Sequence, residues 1–235
     1  MLYCHCLYII VIFYGMVQVM NISEEKKETP EQEKLQGNFD KIARYLEDEE
    51  VTIFNKFLIK TLNYGLKYDV ENIHIFDYGD FHEFIIGNKN SIIIPEDVCE
   101  KVKINQKDSL SFTHNHPNNT APSIDDYNFY FKYPSIKDMV VCGHIGNLFF
   151  MKKSILFINS DESTWVGFSL TINELSINAI IGFNEEYGYT IEKIIADENI
   201  KNKCTRYVSE IIFDYVCNEI LKHDKDFKCY KEGLS

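Results

Sequence analysis

Ser111-Phe-Thr-His-Asn-His-Pro-Asn-Asn-Thr-Ala-Pro-Ser-Ile-Asp-Asp126 gathers two histidines, two serines and two aspartates into one short stretch. Leu110, Phe112, His114 and His116 alternate with Ser111, Thr113 and Asn115, the period of a strand, so both imidazoles share the face that carries Leu110 and Phe112. Pro117 ends that strand. Two imidazoles one residue apart on a strand can reach one ion, as tetrahedral zinc with nitrogen ligands requires. Ser123-Ile-Asp-Asp126 then stands directly before an apolar helical run, with Ser123 as N-cap and Asp126 at N3. The stretch therefore reads locally as a polar turn into a helix. That reading is compatible with a metal site, because a carboxylate in the first helical turn beyond the strand end is a natural third ligand.

Outward from this stretch, Val70 to Asn147 is a series of short β-type runs: VENIHIF, EFIIG, SIIIP, LSFTHNH and MVVCGHI. PEDVCEKV and Ile124–Tyr133 between them have helical character, and Gly146-Asn147 predicts a tight turn into Leu148–Lys153. The fold class expected is α/β (α+β), a mixed central β-sheet flanked by helices. Upstream, Phe39, Ile42, Ala43 and Leu46, then Val51, Phe54, Phe57, Leu58 and Leu62, follow helical spacing with a break near Asp48 and an end at Gly65. Downstream, one strong helix is expected from Asn199 to His223, packing on the sheet. The organisation predicted is an apolar segment at 1–20, a charged linker at 21–36, a helical lead-in at 37–66, a core at 67–160 and a C-terminal extension at 161–235.

The formal charge of −12 and the lack of a long Lys/Arg run argue against a grip on nucleic-acid phosphates, so no nucleic-acid partner is expected. Seven cysteines at scattered spacings, with no C-x-x-C, read as reduced thiols and a cytoplasmic setting, and zinc would take His and carboxylate ligands. Residues 1–20 are apolar, and a helix of that length would span about 30 Å, roughly a bilayer core. No Lys or Arg precedes Lys26, unlike a signal peptide. An N-terminal membrane anchor, a buried or partner-bound segment, and a start assigned upstream of Met16 or Met20 all remain open.

His114-Asn-His116-Pro117 followed by Ser123-x-x-Asp126 resembles the JAMM signature of the JAB/MPN zinc metalloprotease family. Six residues separate His116 from Ser123, where seven is commonest, so the resemblance points to the bacterial and phage-type branch. It covers Val70 to about Lys153. It implies a JAMM-type zinc metalloprotease, a hydrolase acting on peptide or isopeptide bonds of a protein or peptide substrate. One catalytic Zn2+ would be held by His114, His116 and Asp126, with water in the fourth position. The family's upstream glutamate is matched by Glu71, which shares a strand face with Ile73 and Ile75; Glu83 is the alternative. Glu71 is the expected general base, and Ser123 the expected oxyanion donor.

Two other functions stand beside this one. A non-catalytic MPN-type binding or scaffold module would lack ligands that this chain retains. A metal-dependent nuclease is suggested by the letters HNH, but that motif has its residues dispersed over a ββα unit. Asp125 and His74 are expected outside the site, His144 as a satisfied strand-end histidine, and Tyr127, Phe129, Tyr130, Phe131 and Tyr133 as packing residues. Trp165 is a possible surface contact in a polar stretch.

Overall fold

Leu110–His116 forms strand β3 in the computed structural model, which describes residues 29–154 and 163–232. The apolar segment 1–20 and the first half of the segment read as a linker lie outside the described residues. Before β3 come α1 (Pro30–Ala43), α2 (Asp48–Tyr68), β1 (Asn72–Phe76), β2 (His82–Ile86) and α3 (Glu96–Ile104). After it come α4 (Ile124–Lys132), β4 (Ile136–Gly143), β5 (Leu148–Lys152), α5 (Ser163–Tyr187), α6 (Ile191–Ala196), α7 (Glu198–His223) and β6 (Lys228–Lys231).

The six strands make one mixed sheet in the order β2-β1-β3-β4-β5-β6. β3 and β4 are parallel, joined through α4, and every other neighbouring pair is antiparallel. Side-chain alternation across this sheet separates two cores. On one face Ile73, Leu110, Phe112, Met139, Val141 and Phe149 pack under α3, α4 and α7. On the other, Phe76, Val140, Cys142, Leu148 and Phe150 pack under α1 and α2. Fully burying one such side chain contributes about 1.5–3 kcal/mol, so the two layers hold the sheet from both sides. The mixed α/β sheet flanked by helices agrees with the expected class.

Several boundaries differ from the sequence reading. α1 begins at Pro30, within the span taken as a charged linker, because Leu35, Phe39 and Ile42 form a narrow buried stripe beneath a charged outer face. The break near Asp48 is present: Glu47 and Glu50 form a capping box that opens α2. Gly65 does not end α2. It lies inside the helix, where an added Cβ would overlap Asn115 and His144, so it permits close approach of α2 to β3. Asp69, at φ +53°, closes the helix in the left-handed conformation instead.

SIIIP (91–95) is not a strand; Ile92 and Ile94 pack against the core while Ile93 is exposed, so the alternation belongs to an unpaired extended strap. The C-terminal third holds α5 and α6 as well as the expected α7, and β6 joins the sheet beside β5. The extension thus completes the sheet in addition to packing upon it. Among the described residues no helix is long and apolar enough to cross a membrane.

Candidate metal centre

β1 and β3 run antiparallel with Ile73 opposite His114, so Glu71, just before β1, lies level with His116 on the face that carries both imidazoles. The backbone at Glu71 is held on both sides. Its N–H donates to the Asn88 carbonyl at 2.7 Å, and its carbonyl accepts from Gly87 N–H at 2.9 Å. From the other face, Asn115 accepts from Asn72 N–H at 2.7 Å and donates to the Val70 carbonyl at 2.9 Å. The asparagine between the two histidines therefore clamps the peptides on either side of Glu71.

Asp126 reaches the histidines through an anchored loop. Asn119, at φ +60°, donates its N–H to the His116 carbonyl at 2.9 Å, a left-handed position that asparagine tolerates. Its side-chain oxygen accepts from Ile145 N–H at 2.9 Å, and its carbonyl accepts from the Asn147 amide at 3.1 Å. Further along, Ala121 N–H donates to the Ser209 hydroxyl of α7 at 3.1 Å. Ser123 then caps α4, accepting from Asp126 N–H, while Asp126 Oδ2 accepts from the Ser123 N–H at 2.6 Å and hydroxyl at 2.7 Å. This reciprocal cap turns the Asp126 carboxylate back toward the strand end.

Four buried side chains meet there. Asp126 Oδ1 lies 2.9 Å from His114 Nδ1, Asp126 Oδ2 lies 3.3 Å from His116 Nε2, and Glu71 Oε2 lies 3.5 Å from His114 Nε2. The Thr120 hydroxyl sits 2.8 Å from His116 Nδ1, and the Thr120 carbonyl 3.2 Å from it. A carbonyl can only accept, so Nδ1 of His116 carries the proton that Thr120 receives and leaves Nε2 as the basic nitrogen. This is the orientation a histidine ligand needs.

The electrostatics draw positive charge inward. Burial by itself lowers the pKa of His114, but Asp126 and then Glu71 outweigh it and raise the imidazole to about 9. Burial likewise opposes the charge on Asp126, and His114 and His116 outweigh it, holding the carboxyl well below its ordinary range. His114 Nε2 is buried without a hydrogen-bond partner. Donor atoms of Glu71, His114 and His116 all lie within 4.8 Å of one another, close enough for one ion. Two imidazole nitrogens and a carboxylate oxygen, with His114 Nε2 left without a hydrogen-bond partner, form a set that could hold a metal ion.

All five residues singled out from the sequence, Glu71, His114, His116, Ser123 and Asp126, are brought together, with Asp126 bound closely to both imidazoles and Glu71 beside one. Glu83 is elsewhere, paired with Lys101 at 2.7 Å. Asp125 is exposed, and His144, half-buried at the end of β4, contacts Asn115 at 3.0 Å. Tyr127, Tyr130, Phe131 and Tyr133 are core residues. Trp165 falls on the backbone of α5, and its side chain lies outside the described residues. Sequence reasoning missed Asn115 and Thr120. The first signals itself as the inward polar residue between two histidines; the second as a hydroxyl in the turn that leaves the strand. No family model, curated protein or solved structure matches the chain.

Proposed function

We propose that the chain is a zinc-dependent metallopeptidase or isopeptidase of the JAB/MPN type, hydrolysing a peptide or isopeptide bond. The observation that carries this reading is the meeting of two buried imidazoles and two buried carboxylates at one strand end, where Asp126 contacts His114 Nδ1 and Glu71 faces a His114 Nε2 that has no hydrogen-bond partner. His114, His116 and Asp126 would hold the ion. Asp126 is taken as the oxygen ligand from the JAMM resemblance, although Glu71 is the carboxylate whose oxygen lies within 4.8 Å of donor atoms of both imidazoles, Asp126 contacting Nδ1 of His114 and Nε2 of His116. A bound zinc supplies Lewis acidity, polarising a carbonyl and bringing water to a pKa near 7.

The protein's own residues do the rest. Glu71 takes the proton from the attacking water and returns it to the leaving amine. Its position is fixed by the Asn115 clamp and by the backbone hydrogen bonds with Asn88 and Gly87. Ser123 is exposed, so a substrate can reach its hydroxyl. To serve the developing oxyanion, that hydroxyl turns its proton away from Asp126 Oδ2, which keeps the Ser123 N–H at 2.6 Å. Asp126 thus stays oriented while Ser123 works.

The test is zinc content and peptide hydrolysis of the purified full chain beside its Glu71→Gln variant. Glu71→Gln should lose on the order of 10²–10⁴-fold in hydrolysis and keep its zinc. A wild-type protein that binds no zinc overturns the reading. Loss of zinc in Glu71→Gln, with retention in Asp126→Asn, would reverse the two carboxylates' roles.

A further inference from the structure

The loop that carries Asp126 to the metal centre has a second face. Thr120 to Ile124 form one wall of a pocket of about 460 Å³, closed on its other sides by α6 and α7 with Ile180 of α5. That volume falls in the range of small-ligand sites. Ile194, Val208 and Ile212 make the interior aliphatic, and Lys201 is the one charged side chain among the described residues that line it. The polar groups of the wall are already engaged. The Ser209 hydroxyl accepts from Ala121 N–H and donates to the Arg206 carbonyl, and the Thr120 hydroxyl is 2.8 Å from His116. Ile191 and Ile195, which also line the pocket, are exposed, leaving an apolar mouth in water.

Thr120 and Ser123 belong to both places: each touches a residue of the metal centre and each lines the pocket. A peptide lying across Ser123 would therefore carry a neighbouring side chain over this opening. We infer that the pocket is a specificity subsite for a bulky aliphatic or aromatic side chain flanking the scissile bond. This rests on the peptidase reading for the bond cleaved, but the binding of an apolar side chain can be measured without catalysis. Leucine and phenylalanine side chains supply the apolar surface that Ile194, Val208 and Ile212 would cover, whereas glycine supplies none.

The experiment titrates the full chain with N-acetyl-leucinamide and, separately, N-acetyl-glycinamide, following the backbone amides of Thr120, Ala121 and Val208 by NMR. The leucine amide should bind at least about 10-fold more tightly, and Thr205→Trp should remove that advantage. Thr205 is an exposed pocket residue, so the variant fills the mouth without entering the core, and an unchanged melting temperature checks this. Equal binding of the two amides, or a leucine preference that survives Thr205→Trp, overturns the inference. In parallel, digestion of a mixed peptide pool should enrich large apolar residues beside the cut, and Thr205→Trp should abolish the enrichment. Cleavage without such a preference also overturns it. A dimer split by Thr205→Trp in sedimentation would assign the pocket to a second copy and reject the proposal. Absence of all hydrolysis would reject the peptidase reading, leaving the amide titration to decide the pocket.

Discussion

The sheet carries two histidine pairs on opposite faces. His74 and His82 stack with ring centroids 5.1 Å apart and their Nδ1 and Nε2 atoms 2.8 Å apart; His114 and His116 are edge-on with centroids 4.6 Å apart. Proximity is similar, but the surroundings have opposite sign. Around the first pair stand Phe57 and Phe84, and burial, then His82 and Lys60, push His74 down to about 3. Around the second, Asp126 and Glu71 overcome burial and bring His114 up to about 9. Two imidazoles close together therefore do not by themselves favour positive charge. The carboxylates decide whether the pair repels a positive charge or collects one.

Removing a carboxylate from the collecting pair should have the largest effect. Asp126→Asn should weaken zinc binding by more than about 100-fold, beyond the upper range for residues outside the ligand shell, as measured by chelator competition. In the metal-free variant the His114 pKa, followed by NMR, should fall well below 9. Thr120→Val removes the hydroxyl beside His116 while leaving the carbonyl, and should cost about 10–100-fold in zinc affinity. Retained full affinity would show that the Thr120 hydroxyl does not orient the ring.

The repelling pair can be converted in part. His82→Glu brings a carboxylate next to His74 and should raise the His74 pKa by about 1–3 from its value near 3, read by NMR titration. A smaller effect comes from stability. The folded-state pKa of His74 lies below its unfolded value, so the unfolded chain takes up the proton first as pH falls from about 6.5 toward 3. Stability is thus lost across that window with a slope of up to about 1.4 kcal/mol per pH unit for this group. His74→Phe should remove this contribution in urea unfolding at several pH values, leaving zinc content unchanged.

Much of the site was legible because strand periodicity and helix capping are local. LSFTHNH announced which face holds both histidines, and S-x-x-D announced both the cap and the direction of Asp126. What escaped depends on distance in the chain. Asn115 acts on Val70 and Asn72, whose closeness follows from the β1–β3 pairing and cannot be read from either segment alone. Thr120 lies in a loop with no period to betray where its hydroxyl points. In the fold, α5 was missed because STWVGFSLTINELSINAIIGFNEEY is apolar with little segregation into faces, so no stripe marks it. β6, KCYK, is too short to alternate convincingly and exists through its ladder with β5. SIIIP shows the converse: a short β-type run does not make a strand where it joins no ladder of the sheet.

The most direct measurement is a zinc titration of the full chain beside two single variants, one from each histidine pair. Wild type and His82→Ala should each bind about one equivalent of zinc tightly, and His116→Ala should lose that binding. A wild type without a tight site, or a site lost in His82→Ala and kept in His116→Ala, would contradict the assignment of the metal centre to Glu71, His114, His116 and Asp126.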